Sequence, residues 1–353
     1  MIKEARVSFK RPDLFLLRTR NYTIYDMHVH TSYSDGHRTV EQVLAAARKK
    51  GIGISLTDHN DIRGAVKAYK NNYGVPVIPG MEMTTAEGVH LLIYFYNAKE
   101  LEEYFNKYIL KSRNENRPYT FLSKGAEELI EDSKYYNCII SAAHPFAISW
   151  TGLMKHNLNN LSEKVLRKIE AIEVICGSST LPMNKKAINF AMKSDKCFTG
   201  GSDAHIRHEL GSVVSYSRDI LNEEKFLGNL LKKKNFVIGT QSTLMSRFAS
   251  LPLRFKSTNS PSPYFYFKKQ LKFIKGNKID KHKDKYDKIK NKIKEKKDNI
   301  KENVIERKNN LTYNVKRRKD NIKKKLITRK NKIKYKLIQN KDKFKDRLNE
   351  LEL

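Results

Sequence analysis

A chain of 353 residues is long enough for one large domain or two ordinary ones, and its net charge of +32 is extreme. Three widely spaced cysteines, Cys138, Cys176 and Cys197, form no C-x-x-C pair. This excludes a disulfide framework and a thiolate zinc site, and a reduced, cytoplasmic setting is expected. No run of about 18 apolar residues occurs, so no transmembrane helix is expected, and residues 9–13 interrupt any apolar stretch a leader would need. The charge is uneven. Residues 251–353 hold 35 Lys and Arg against 12 Asp and Glu, which places +23 of the +32 in an appendage.

In chain order, residues 1–21 read as a short basic lead-in. From 22 to 240 short apolar runs alternate with helix-like segments. The runs (23–27, 53–56, 75–78, 90–96, 138–142, 171–175 and 198–200) have strand length, and the segments between them (39–50, 62–69, 126–133, 162–168, 185–194 and 223–233) have helical spacing. Repeated β-α units predict an α/β architecture with a mostly parallel sheet. Seven or so strands over this span suit a barrel better than a small open sheet. Residues 104–125 are polar and read as an excursion between units. Residues 241–288 form a linker and Lys-rich transition, with Pro252, Pro261, Pro263 and the aromatic run Tyr264 to Phe267.

Residues 289–353 repeat every eleven positions. Ile289, Ile300, Leu311, Ile322, Ile333 and Phe344 occupy the first position, and Ile293, Val304, Val315, Leu326, Leu337 and Leu348 the fifth. Eleven residues make three turns of about 3.67 residues, so both positions stay on one face. A continuous helix here would be about 100 Å long at 1.5 Å per residue.

The chemistry concentrates at the ends of the strand-like runs, where barrel and open-sheet enzymes place it. His28 and His30 stand two apart on a strand and so point to the same face. Asp35, His59, Glu82, His90, His144, Asp203 and His205 follow in later segments, and together with the first segment these hold six of the ten histidines. Imidazole mixed with carboxylate, without thiolate, suits Zn, Mn or Fe better than Ca or an iron–sulfur cluster. Several carboxylates among several histidines suggest more than one ion. A lone histidine at a strand end is usually structural, which leaves His37, His156 and His282 outside the set. Cys176 and Cys197 read as buried apolar residues rather than ligands.

Asp26-Met27-His28-Val29-His30, Ser34-Asp35-Gly36, Thr57-Asp58-His59, Gly80-Met81-Glu82, His144-Pro145 and Gly201-Ser202-Asp203-Ala204-His205 occur in the order seen in the PHP (polymerase and histidinol phosphatase) family, which residues 22–240 resemble. The resemblance implies a distorted (β/α)7 barrel with two or three divalent ions (Mn, Zn or Fe) at the carboxyl ends of its strands. The implied ligands are His28, His30, Asp35, His59, Glu82, His90, His144, Asp203 and His205, with Glu82 bridging. His90 is the loosest of them, since a long insertion separates it from His144. Glu173 would replace or support a ligand, and Asp26 and Asp58 would orient imidazoles from behind.

The implied reaction is metal-dependent hydrolysis of a phosphomonoester or phosphodiester by a metal-bridged hydroxide. His144, His205 or His208 would protonate the leaving oxygen, and Arg207, His208 and Arg63 are candidates for contact with a substrate phosphate. By analogy with stand-alone family members, a nucleotide or RNA substrate is favoured. The basic tail suits nucleic acid or an anionic membrane surface equally, which would make the protein peripheral at a membrane in the second case. A different class of reading is a non-catalytic, metal-containing binding protein anchored by that tail. The intact ligand set disfavours it.

Overall fold

The computed structural model describes residues 6–114, 120–147, 151–155 and 161–241. The expected helix over 289–353, and all but Gln241 of the expected linker, lie outside the described residues. In chain order the elements are β1 (Val7–Ser8), α1 (Leu14–Thr19), β2 (Tyr22–Val29), α2 (Val40–Lys50), β3 (Gly53–Leu56), α3 (Arg63–Lys70), β4 (Gly80–Thr84), β5 (His90–Phe95) and α4 (Ala98–Tyr104). Then come α5 (Ala126–Ser133), β6 (Cys138–Ala142), α6 (Leu161–Lys168), β7 (Ala171–Cys176), α7 (Leu181–Lys193), β8 (Cys197–Gly201), β9 (Val213–Arg218), α8 (Glu223–Leu231) and β10 (Asn235–Gly239). The fold is mixed α/β. No described helix is long and apolar enough to cross a membrane.

Local sequence explains the elements. In α2, Thr39 caps the first turn and Gln42 reaches back to the Thr39 amide, a reciprocal pair that satisfies two orphan N–H groups. Its buried residues Val40, Val43, Leu44 and Ala47 recur at helical spacing, and Gly51 ends it in the left-handed region at φ 63°. The strands β3, β4, β5, β7 and β8 are buried along their whole length, as expected of strands covered on both faces.

The closed (β/α)7 ring that the resemblance implies is not formed by the ladders. They give two five-stranded sheets, ordered β1-β10-β9-β2-β3 and β4-β5-β6-β7-β8. β4 and β5 pair antiparallel because only residues 85–89 join them, far too few for a crossover. β5 with β6, and β9 with both β2 and β10, are antiparallel too. Isolated parallel bridges span both gaps between the sheets: Ile54 with Val77 and His59 with Glu82 on one side, Val29 with Ala204 on the other. Residues 75–78 are thus a bridged loop, not the expected strand, and β4, β9 and β10 are additional strands. The lead-in is part of the fold, since β1 pairs with β10.

Along the second gap β8 lies directly on β2. A Cβ on Gly201 would stand 2.3 Å from the Cβ of His28 and 2.5 Å from its backbone nitrogen. Gly201→Ala is expected to cost about 3 kcal/mol of stability by forcing these backbones apart, measurable by denaturant unfolding. A variant as stable as the parent would show that this close approach is not required.

Candidate metal centre

Nine polar side chains converge at one end of the two sheets. His28 and His30 close β2, and His59 follows β3. Glu82 lies within β4, His144 follows β6, and Asp203 and His205 follow β8. His90 is the first residue of β5, yet it belongs to the same end. β5 runs antiparallel to β4, so its amino end meets the carboxyl end of β4, with Thr84 opposite His90. Asp35 arrives on the loop after β2. The geometry therefore brings together all nine side chains named from the sequence motifs.

Glu82 is the hub. It is fully buried. Its Oε2 lies 3.2 Å from His28 Nε2, 3.3 Å from His30 Nε2 and 3.1 Å from His59 Nδ1. Its Oε1 lies 2.8 Å from His90 Nδ1 and 3.2 Å from His144 Nε2. One carboxylate thus divides its two oxygens between two sets of imidazoles. Asp203 Oδ1 stands 3.4 Å from His28 Nε2 and 3.0 Å from His30 Nε2, and those two nitrogens are 3.1 Å apart. Asp35 Oδ2 reaches His205 Nε2 at 3.0 Å and His59 Nε2 at 3.8 Å.

These spacings fit a cation. Ligand atoms about 2.0–2.1 Å from one centre are separated by about 2.9–3.4 Å along the edges of an octahedron or tetrahedron. Two imidazole nitrogens turned toward each other and toward two carboxylate oxygens need a positive partner between them. Nδ1 of His144 is buried without a hydrogen-bond partner among the described residues. Four groups of possible ligands recur here: His30-Asp35-His59-His205, His28-His30-Asp203, His59-Glu82-His90 and His28-Glu173-Cys176. Cys176 is buried, as expected of an apolar residue, but its thiol faces the cluster, 3.9 Å from Asp203 Oδ2.

The electrostatics follow from burial and crowding. Burial disfavours charge on Glu82, but His59, His90 and His28 outweigh it and hold its pKa well below the carboxylate range. Asp203 and Asp35 are held low in the same way by neighbouring imidazoles. Burial also opposes charge on His30, yet Asp203, Glu82 and Asp35 raise it to about 10. His59 is driven down to about 3 by burial, with His30 and His90 repelling its proton further.

The supporting residues differ from expectation. Asp26 and Asp58 do not orient imidazole rings. Asp26 accepts from Ser202 N at 2.8 Å, Ser202 Oγ at 2.5 Å and Gly211 N at 2.7 Å, holding the loop after β8 against β2. Asp58 accepts from Thr31 N at 2.7 Å and from the hydroxyls of Thr31 and Ser34 at 2.6 Å, fixing the loop that carries Asp35. The carboxylate that does steer a ring is Glu173. Its Oε1 lies 2.9 Å from His28 Nδ1, and its Oε2 accepts from the His144 amide at 2.7 Å.

Glu209, unnoticed in the sequence, takes the amides of His205 and Ile206. Its only signal was an acid four residues after His205. Arg207 and His208 are exposed on that loop, and among the described residues no hydrogen bond or ion pair joins them to the nine. Asn60, His144 and Asp203 have φ of 48°, 27° and 51°. Such backbone is costly for residues other than glycine and concentrates at functional sites.

Burial raises the Asp26 carboxyl to about 6 against the opposing pull of its donors. Its protonated form is therefore favoured in the fold. Its contribution to stability is full below pH ~4 and fades as pH rises through about 6. In Asp26→Asn this decline over pH 4–6 should vanish from unfolding curves of the metal-free chain. The variant should also lose about 1–3 kcal/mol, because its amide cannot accept from all three donors. An unchanged pH profile would contradict this.

Residues 26–181 match the PHP domain, and residues 182–235 match a PHP-associated segment. An uncharacterized protein of Methanocaldococcus jannaschii is 39% identical over 77 residues, 18% of this chain and 45% of that protein. The match thus spans less than half of that relative. A probable histidinol-phosphatase of Clostridium acetobutylicum is 22% identical over 226 residues, 53% of this chain and 89% of that one. The crystal structure of a lesion-specific endonuclease from Pyrococcus furiosus superposes with a TM-score of 0.52 at 18% identity, covering 68% of this chain and 72% of that one, a likeness of fold.

Proposed function

We propose that this chain, which carries a PHP domain over residues 26–181, is a metal-dependent phosphoesterase that hydrolyses a phosphate ester, with a nucleotide or RNA as the favoured substrate. The observation that carries the reading is the sharing of the buried Glu82 carboxylate among five imidazoles. Structural histidines do not need such a hub. The ligands would be His28, His30, Asp35, His59, Glu82, His90, His144, Asp203 and His205, with Glu82 bridging. When bound, two or three divalent ions supply Lewis-acid activation of water and neutralise charge on the phosphoryl oxygens.

The chain's own residues supply the rest. Glu173 fixes the ring of His28, and Asp58 fixes the loop of Asp35. The cluster opens on the side of Asp35 and His59, whose side chains are 21% and 14% exposed, whereas His28 and His30 are sealed. A substrate phosphate reaches the centre from there. His205, hydrogen-bonded to Asp35, borders this side; with His205 and His144 taken as ligands, His208 is the remaining candidate to protonate the leaving oxygen. Arg207 and His208 are exposed two and three residues further along the same loop, free to turn toward a bound phosphate. The net charge of +32 favours a polyanionic substrate over a neutral one.

His28→Ala combined with His30→Ala should abolish both bound metal, counted by mass spectrometry, and hydrolysis in a screen of phosphorylated nucleotides and short RNAs with Mn2+ or Zn2+. Full retention of either would sink the reading. In the metal-free cluster burial opposes charge on His28, but Glu82, Glu173 and Asp203 hold its pKa well above the imidazole range. His30 stands at about 10. A metal takes neutral imidazole, so binding should release protons, and affinity should rise with pH between about 6 and 9. Calorimetry in buffers of different ionisation enthalpy measures this, and a pH-independent affinity would count against direct ligation.

A further inference from the structure

The helix that leads into β2 buries only half of its apolar residues. α1 has six residues, four of them apolar, and none is fully buried. Leu14 and Leu17 pack against the core. Phe15 and Leu16 face away, 70% and 42% exposed. At about 100° per residue, the midpoint between Phe15 and Leu16 lies about 180° around the helix from the midpoint between Leu14 and Leu17. Thr19 falls on the same outward side. The helix is fixed in this orientation. Asp13 caps its first turn, accepting from Leu16 N at 2.9 Å, and Arg18 Nε donates to Leu14 O at 3.3 Å. The Arg18 guanidinium lies against Gly51, at the end of α2.

The surroundings are basic. Lys10 and Arg11 precede the helix and Arg18 and Arg20 close it, all of them exposed. Arg48 and Lys49 are exposed on the last turn of α2, next to the Gly51 that Arg18 touches. Asp13, the one acid from 10 to 20, is occupied by the cap. A further apolar group stands beside the strand that α1 leads into. Tyr22 pairs with Arg218 and bridges to Asp219, and the next residue, Ile220, is 85% exposed.

Single exposed apolar residues are ordinary. The fold does not explain this adjacent pair, because Leu14 and Leu17 already anchor α1. Whatever covers the pair has to accept both apolar side chains and the cations around them. A second copy would bring the same arginines, and residues 251–353 of the chain itself carry +23, so both fail on charge. Nucleic acid would satisfy the cations, but Leu16 and Ile220 offer it neither a donor nor a planar face. An anionic bilayer accepts both kinds of group. Its headgroups meet Lys and Arg, and its acyl boundary takes Phe and the aliphatic residues. We propose that α1 docks the protein on an anionic lipid surface, with Phe15 and Leu16 entering the interface and Lys10, Arg11, Arg18 and Arg20 meeting the headgroups. This docking element is separate from the basic tail and does not depend on the phosphoesterase reading.

The test has to distinguish α1 from the tail in the full chain. A fluorophore whose emission moves to the blue in apolar surroundings is attached at Leu16→Cys. Cys176 and Cys197 are buried, burial pushes the Cys138 thiol up to about 12, and the parent carried through the same labelling gives the background. Vesicles of phosphatidylcholine with phosphatidylserine should shift the emission to the blue, and spin labels on the acyl chains should quench it. Phosphatidylcholine alone should do neither at the same lipid concentration. Phe15→Ser in the labelled chain should raise the lipid needed for half the shift about tenfold. Thermal unfolding checks that each variant is folded. If Leu16→Cys is not, the label goes to Thr19→Cys on the same outward side. Sedimentation with the vesicles without a blue shift means that the tail alone binds, and overturns the proposal. A shift as large with RNA in place of vesicles overturns it too, as does one that grows with protein concentration in the absence of lipid.

Discussion

The burial of Glu82 is the constraint on which the rest of the structure depends. A carboxylate with no water around it must be compensated, and it is surrounded by His28, His30, His59, His90 and His144. No single strand can deliver five imidazoles. They come from three strand ends and one strand beginning, and the sheets have to converge for them to meet. The short β4–β5 hairpin serves this purpose. It reverses the chain so that His90 returns to the end where Glu82 already lies. A parallel β5 would have carried His90 to the opposite end.

Convergence also has to be held, because the ladders leave two gaps. The first is stitched where Asn60 N donates to Glu82 O and Glu82 N donates to Asp58 O. The second is stitched where His30 N donates to Ala204 O, reinforced by Asp26 gripping Ser202 and Gly211. Both stitches run through the residues flanking the cluster itself. The same few residues close the fold and place the donors, so metal site and architecture are not separable here. The unusual backbone at Asn60, His144 and Asp203 is a consequence. Each sits where the chain must leave a strand and turn a side chain inward within one or two residues.

The sequence exposed the donors and concealed their supports. His28 with His30, and Asp203 with His205, are two apart at the end of an apolar run, a local pattern readable without partners. Glu82 was readable for a different reason: Gly80-Met81-Glu82 falls in its place in the ordered motifs of the family resemblance. Its charge hid β4, since Gly-Met-Glu-Met-Thr lacks the β-branched run of an ordinary strand. β9 and β10 follow the last motif and carry no chemistry to draw attention to them. Asp26 and Asp58 were misread because adjacency to a histidine suggested contact with its ring. Asp26, two residues before His28, is taken up instead by Ser202 and Gly211, partners more than 170 residues away that adjacency cannot reveal. Glu173 shows the converse. It shares no motif with His28, yet it meets that ring from 145 residues away because β7 and β2 end together. Only pairing between distant strands creates that contact.

The charge arrangement imposes an order of events. Glu82, Asp203 and Asp35 are all held in their ionised forms. At the open side near Asp35 they repel a phosphate dianion, and the few imidazoles that carry protons are sealed beneath them. A phosphate ester therefore has no reason to enter the metal-free cluster, however basic the chain is elsewhere. Divalent cations bound there would invert the sign of the site, taking the place of protons on His28 and His30 and adding positive charge where the carboxylates dominate. On the proposed reading, cation binding would come before phosphate binding.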